Sequence, residues 1–172
     1  MYTLTADEKA TMVMVYTRDL FVRGEAVTKQ SVRLNNWLRT EGMPEYIHLL
    51  RAQVIFLGGS AIKSASYPEI YVPTASVIGF HLAPPITDGV DYSEDEKNRA
   101  MLPVTALVGS FQFKGKLRIS SQTGIGASLE SSRSQWMSIY DVEVTNPNLP
   151  QMPVVSVPLI LMNPKQVDFA LE

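Results

Sequence analysis

The sequence predicts a mainly β protein: two tandem, duplicated, small β-barrel or β-sandwich-like units, each with one short helix. Three observations predict it. Apolar side chains alternate with period two through several segments, the pattern of strands with one wet face. Four blocks of residues recur in the same order in both halves, at offsets of 91, then 90, then 89 positions. A stretch carrying Pro84-Pro85 and five acidic residues separates the recurring blocks.

The recurrence is read block by block. At offset 91, Leu20, Val22, Gly24 and Ala26 match Phe111, Phe113, Gly115 and Leu117, and Leu34 and Leu38 match Ile125 and Leu129. At offset 90, Tyr46-Ile47-His48-Leu49-Leu50 matches Trp136-Met137-Ser138-Ile139-Tyr140, and Val54 matches Val144. At offset 89, Ile70-Tyr71-Val72 matches Leu159-Ile160-Leu161, and Ile78, Phe80 and Leu82 match Val167, Phe169 and Leu171. Self-similarity at one spacing is the signature of repeated structural units. The divisions are residues 1–82, an exposed linker at 83–100, and residues 101–172.

Each element has its own signal. Thr11 to Thr17 reads as an opening strand, preceded by Thr5 and Glu8 at capping-box spacing. In the next strand Leu20, Val22 and Ala26 face one way; in the second half Phe111, Phe113, Leu117 and Ile119 alternate with Gln112, Lys114, Lys116 and Arg118. A glycine at the same place in both strands predicts a bulge or sharp bend. Ser31–Arg39 predicts a short helix, with Leu34 and Leu38 on one face and Gly42 and Pro44 ending it. The matching turn near Ile125 and Leu129 lies among Ser and Gly and is expected to be shorter or looser. In the third block Tyr46, Leu50, Ala52 and Val54 are expected to share a face, matched by Trp136, Tyr140, Val142 and Val144. Apolar Ile47 and Leu49 predict burial on both sides for its first half. Glu69–Leu82 and Pro158–Leu171 each predict two strands around a tight turn.

Composition bounds the function. The chain has 172 residues, 45% of them hydrophobic, with 15 basic and 17 acidic residues and a net charge of −2. It is apolar enough to bury a core and not of disordered composition. No apolar run approaches the roughly 20 residues that span a bilayer. No cysteine is present, so disulfides, thiolate metal sites and Cys nucleophiles are excluded. The N-terminal residues lack an export-signal pattern, and the expectation is a soluble, cytoplasmic protein.

Tyr16–Gly24, Arg33–Leu38, Tyr46–Val54 and Tyr71–Ile78 together resemble a tandem-duplicated bacterial domain of unknown function. The closing strand, tight turn and strand are also similar to the end of Sm-like and SH3-like small barrels. Sm-like barrels form RNA-binding rings through edge strands, so this resemblance implies edge-mediated assembly and, as an alternative, nucleic-acid binding. The chain departs from that pattern by carrying its helix after the first strand, and it has no matching Asn-containing RNA loop.

Chemical motifs are sparse. His48 and His81 lie within apolar strands, without HxH or HxxxH spacing for zinc. Ser60-Ala61-Ile62-Lys63 fits SxxK, which places an amine one helical turn from a hydroxyl, but its companion motifs are missing. Gly124-Ile125-Gly126 lacks the third glycine and the GK[ST] of phosphate loops. An enzyme would have to build a site between the halves from residues such as His48, Arg51, Asp141 and Glu143. The candidates for partner or nucleic-acid contact are Lys114, Lys116 and Arg118, which share one strand face, and Trp37, whose counterpart is Ser128.

These features favour a non-enzymatic structural or protein-interaction module with no cofactor or metal. It is expected to be a homo-oligomer or to bind a protein partner through β-edges. A unit of about 70 residues is near the lower limit for independent folding. Without cysteine neither unit can be stapled, so stability is expected from packing half on half or chain on chain.

Overall fold

A computed structural model describes residues 2–58, 62–86, 89–132 and 134–171. The order strand, strand, helix, strand, strand, 3-10 turn, strand occurs twice. The first half contains β1 (Glu8–Tyr16), β2 (Leu20–Lys29), α1 (Leu34–Trp37), β3 (Tyr46–Phe56), β4 (Lys63–Pro73), a 3-10 turn (Thr74–Ser76) and β5 (Gly79–Leu82). The second contains β6 (Arg99–Val108), β7 (Phe111–Ser120), α2 (Ile125–Ser131), β8 (Met137–Thr145), β9 (Val155–Met162), a 3-10 turn (Pro164–Gln166) and β10 (Asp168–Ala170). Strand β6 therefore begins inside the segment expected to be linker.

Among the described residues, ten antiparallel strands form one open sheet in the order β10-β6-β7-β8-β9-β5-β1-β2-β3-β4. The protein is mainly β, as expected, but the sheet is continuous rather than divided into two barrels. The cause is the pairing of β5 with β9, Gly79 opposite Met162 and Phe80 opposite Leu161.

Two hydrophobic cores lie on opposite faces of this sheet. The first gathers Val13, Val15, Val22, Leu38, Ile47, Leu49, Val54 and Phe80; the second gathers Val104, Ala106, Phe111, Phe113, Leu117, Ile119 and Val144. The central strands serve both. On β9, Leu159 and Leu161 enter the first core while Ile160 enters the second. On β1, Val13 and Val15 enter the first and Tyr16 the second. Strands buried on both faces read as continuous apolar runs, as Leu159–Met162 does. Outer strand β7 buries one face and leaves Lys114 and Lys116 exposed on the other.

The paired glycines mark bulges, and the extra residue lies on the neighbouring strand. Arg23 pairs with Gln53 and Glu25 with Leu50, so Arg51 and Ala52 together oppose Gly24. Lys114 pairs with Glu143 and Lys116 with Tyr140, so Asp141 and Val142 oppose Gly115. Arg51 and Asp141 have φ of 48° and 50°, the left-handed conformation that non-glycine residues seldom adopt. Neither glycine needs positive φ; each leaves room for the bulged backbone.

Three expectations change with this geometry. The bulge at Arg51 reverses the alternation, so Ile47, Leu49, Ala52 and Val54 face the first core and Tyr46 is exposed. Burial on both sides is found instead in β8, where Tyr140, with Trp136 just before the strand, enters the first core and Ile139, Val142 and Val144 enter the second. The match between β4 and β9 is at offset 90, because Ile70 opposes Leu49 and Ile160 opposes Ile139. The last strands do match at 89, since Phe80 opposes Val15 and Phe169 opposes Ala106. The dropped residue therefore falls after the 3-10 turn rather than before it.

Helix α2 is longer than α1, not shorter, yet none of its residues is buried. The Thr5–Glu8 pattern caps a turn: the Thr5 N–H donates to Glu8 Oε2 (3.0 Å) and the Glu8 N–H to the Thr5 carbonyl (3.1 Å), but strand β1 follows.

Candidate interaction surfaces

The two ends of the sheet are its first feature. Among the described residues, strand β4 pairs with β3 alone and β10 with β6 alone. Each leaves one side of its backbone ladder without a neighbouring strand, a template for further pairing. On the outer face beside β4, Tyr46 is 53% exposed and Tyr71 54% exposed. His48 stacks on Tyr71 at 4.4 Å and meets the Tyr2 ring edge-on at 4.7 Å. Its Nε2 lies 3.3 Å from Glu69 Oε2.

The basic face of β7 is engaged by acids. Lys116 Nζ donates to Asp141 Oδ2 at 2.9 Å, and this bond raises the lysine pKa. Arg118 donates to Glu96 (2.6 Å) and to the Ser93 carbonyl (2.9 Å), and its guanidinium lies 4.6 Å over the Tyr92 ring. Lys114 is exposed on the same face. Trp37 is not at the surface: it is 8% exposed and packs edge-on against Phe80 at 6.2 Å. The four sequence candidates therefore do not converge.

A polar cluster that sequence reasoning missed ties the connecting segment to β8. Asp91 accepts hydrogen bonds from Tyr140 Oη (2.6 Å), Ser138 Oγ (2.8 Å) and Arg39 Nη1, and Arg39 also donates to Ser138. Burial works to raise the Asp91 pKa. The hydrogen bonds from Tyr140 and Ser138 and the Arg39 charge outweigh it and hold the carboxyl below its ordinary value. Burial and the Asp91 bond push the Tyr140 hydroxyl well above its usual range. Tyr92 adds an edge-on contact with Tyr140 at 4.9 Å, and Asn35 Nδ2 reaches the Gly89 carbonyl at 3.0 Å. An acidic run reads as solvated from sequence, because its partners lie far along the chain.

Beside this cluster a pocket of about 400 Å³ is lined by Arg39, Arg99, Arg118, Ser132, Ser134 and Trp136, among others. Its arginines carry carboxylate partners: Asp91 for Arg39, and Glu96 for Arg118 and Arg99, the last at 3.7 Å.

The residues proposed for an enzyme site are tied up separately. Arg51 donates to Glu25, with Nε to Oε1 at 2.9 Å, while Asp141 holds Lys116. Thus the matching bulges carry ion pairs of opposite polarity, each within its own half. Glu143 lies across from Lys114 on β7. His81 is buried, and its environment fixes the tautomer. Nδ1 faces the Leu82 carbonyl at 2.7 Å and must donate, so Nε2 accepts from Tyr16 Oη at 3.0 Å. Burial lowers its pKa to about 4.

Among the described residues, no group of three His, Cys, Asp or Glu side chains is placed to hold a metal. Among them, no helix is long and apolar enough to cross a membrane. Ser60 of the SxxK pattern lies outside the described residues. Comparison with family models, curated proteins and solved structures finds no match.

Proposed function

We propose that this chain is a tandem duplication of a small β unit and serves as a non-enzymatic structural or protein-interaction module. It self-associates through its open strand edges. The observation that carries the reading is the long unpaired edge β4, eleven residues, bordered by exposed Tyr46 and Tyr71. Long edge strands with exposed aromatics are normally shielded in monomers, and here a partner strand supplies the shield. The repeated element order, the equivalent bulges and the matching strand registers support the duplication. The closing strand, 3-10 turn and strand recur in both halves, which supports the duplication.

The alternative, nucleic-acid binding along β7, has less support, because Lys116 and Arg118 already hold carboxylates. Light scattering on the purified protein tests the main reading. The expected mass is a multiple of 19.1 kDa. A mass of one chain across the accessible concentration range overturns it.

A further inference from the structure

The chain contains a pattern for its own assembly. Strand β5 ends the first half, and β9 is the fourth strand of the second half. They pair through Gly79–Met162 and Phe80–Leu161, and the Asn163 N–H extends the junction to the Ile78 carbonyl at 2.8 Å. By element order, β10 of the second half corresponds to β5, and β4 of the first half corresponds to β9. These two are the strands at the free ends of the sheet.

Side-chain burial follows the same correspondence. The face covered by the first half carries Trp136 just before β8, Tyr140 on β8 and Leu161 on β9, all in the first core. The matching residues on β3 and β4 are Tyr46, Leu50 and Tyr71, and two of these three are more than half exposed. Helix α1 buries Leu34 and Trp37 where it approaches β5 and β9. Helix α2 carries Ile125 and Leu129 at the matching positions but buries neither fully: Ile125 packs partly against the second core and Leu129 stays half-exposed. Between α2 and β10 lies a groove of about 330 Å³ lined by Leu129, Ser134, Pro164, Val167 and Phe169, among others. So one end of the molecule presents an aromatic-bordered edge strand, and the other an open groove where such an edge lies in the internal junction.

The geometry points to a second copy of this chain as the occupant. Strand β4 of one copy pairs with β10 of the next, and its Tyr46–Tyr71 face lies beneath α2. This rests on the self-association proposed above and names its surfaces. The internal register transfers directly: Phe169 opposes Tyr71 of the next copy, and Asp168 opposes Val72 of the next copy. Pro73 stands where Asn163 stands in the internal junction, so this ladder is one bond shorter. The contact joins unlike surfaces and therefore closes into a ring or runs on as a filament.

Two full-length variants separate the surfaces. Tyr46→Glu with Tyr71→Glu charges the edge, and Leu129→Glu charges the groove. Light scattering is expected to show several chains for the native protein and one chain for each folded variant. An equimolar mixture of the two variants is expected to give a two-chain species, since each keeps one intact surface. A single-chain native protein overturns this junction together with the self-association reading. A multi-chain native protein whose mass resists both variants, or variants that fail to complement, overturns the junction alone. A cross-link provides an independent check, because the chain has no cysteine of its own. Tyr71→Cys with Phe169→Cys in one chain is expected to form disulfide-linked multimers under mild oxidation, and neither single variant is expected to do so. Absence of a multimer ladder from the folded, multi-chain double variant also overturns the register.

Discussion

At the α carbon of Gly115 there is room for hydrogen and little else. A methyl group would meet Ile139 Cγ2 and the Tyr140 carbonyl at 2.8 Å and Val142 Cγ2 at 2.9 Å. At Gly24 the corresponding contacts, led by Leu49 Cβ and the Leu50 carbonyl at 3.2 Å, are less severe. Gly115→Ala is therefore expected to cost about 2–3 kcal/mol and Gly24→Ala about 1 kcal/mol, the range for overpacking a filled site. Urea titration measures both, and equal or inverted losses would refute the steric account. His81 supplies a pH dependence. The unfolded chain takes up a proton near the ordinary histidine value of 6.5, whereas folded His81 does so only near 4. Its share of stability is thus full above about pH 6.5 and is lost as pH falls toward 4. The linkage amounts to roughly 3 kcal/mol at most. His81→Gln is expected to flatten this part of the profile, measured as the difference between variant and native unfolding free energies from pH 7 to 4.5. An unchanged slope would mean that other groups carry the acid sensitivity.

The connecting segment between β5 and β6 is held by several contacts, and the Asp91 carboxylate, with Arg39, Ser138 and Tyr140 upon it, gathers three of them. Asp91→Asn removes the charge from under Arg39 and weakens the acceptor for Tyr140 and Ser138. The expected loss is about 1.5–3 kcal/mol, the range for hydrogen bonds to charged groups. A sharper readout is local: trypsin is expected to cut after Lys97 several-fold faster, because this segment opens before the sheet does. An unchanged cutting rate would show that the cluster does not restrain the segment. Elements of this kind set the limit of what sequence reveals. The bulges were legible from Gly24 and Gly115, because a missing side chain at matched strand positions has few causes. The one-sided face of β7 was legible because alternation is a local property. The bulged residues Arg51 and Asp141 were not, since their type carries no mark of positive φ, and their conformation is set by the neighbouring strand. Helix α2 was underestimated because Ser and Gly favour turns. The Asp91 cluster was invisible because Arg39, Ser138 and Tyr140 are brought to it only by the sheet.

The whole molecule couples its halves through shared cores, and that coupling is measurable. Trp136, Tyr140, Leu159 and Leu161 of the second half complete the first core, while Tyr16, Phe21 and Ile78 of the first half complete the second. Tyr16 alone contacts Phe111 and Phe113 edge-on at 5.0 Å each. If each half were a self-contained unit, damage to one core would leave the other intact. The chain carries a probe for this distinction in its two tryptophans, Trp37 and Trp136, which both belong to the first core. Trp136 is contributed by the second half, so in a Trp136→Phe background the remaining Trp37 reports the first half alone, whereas far-ultraviolet circular dichroism reports the strands of both halves. Phe113 is fully buried in the second core, and Phe113→Leu is expected to lower stability by about 1–2 kcal/mol. In a coupled molecule the fluorescence and dichroism transitions move together and by the same amount, since unfolding is a single cooperative event. In a molecule of two independent units only the dichroism curve shifts, and it becomes biphasic. A separation of the two curves would mean that the β5–β9 junction binds the halves without making them fold as one, and that the sheet behaves as two linked units despite its continuous ladder.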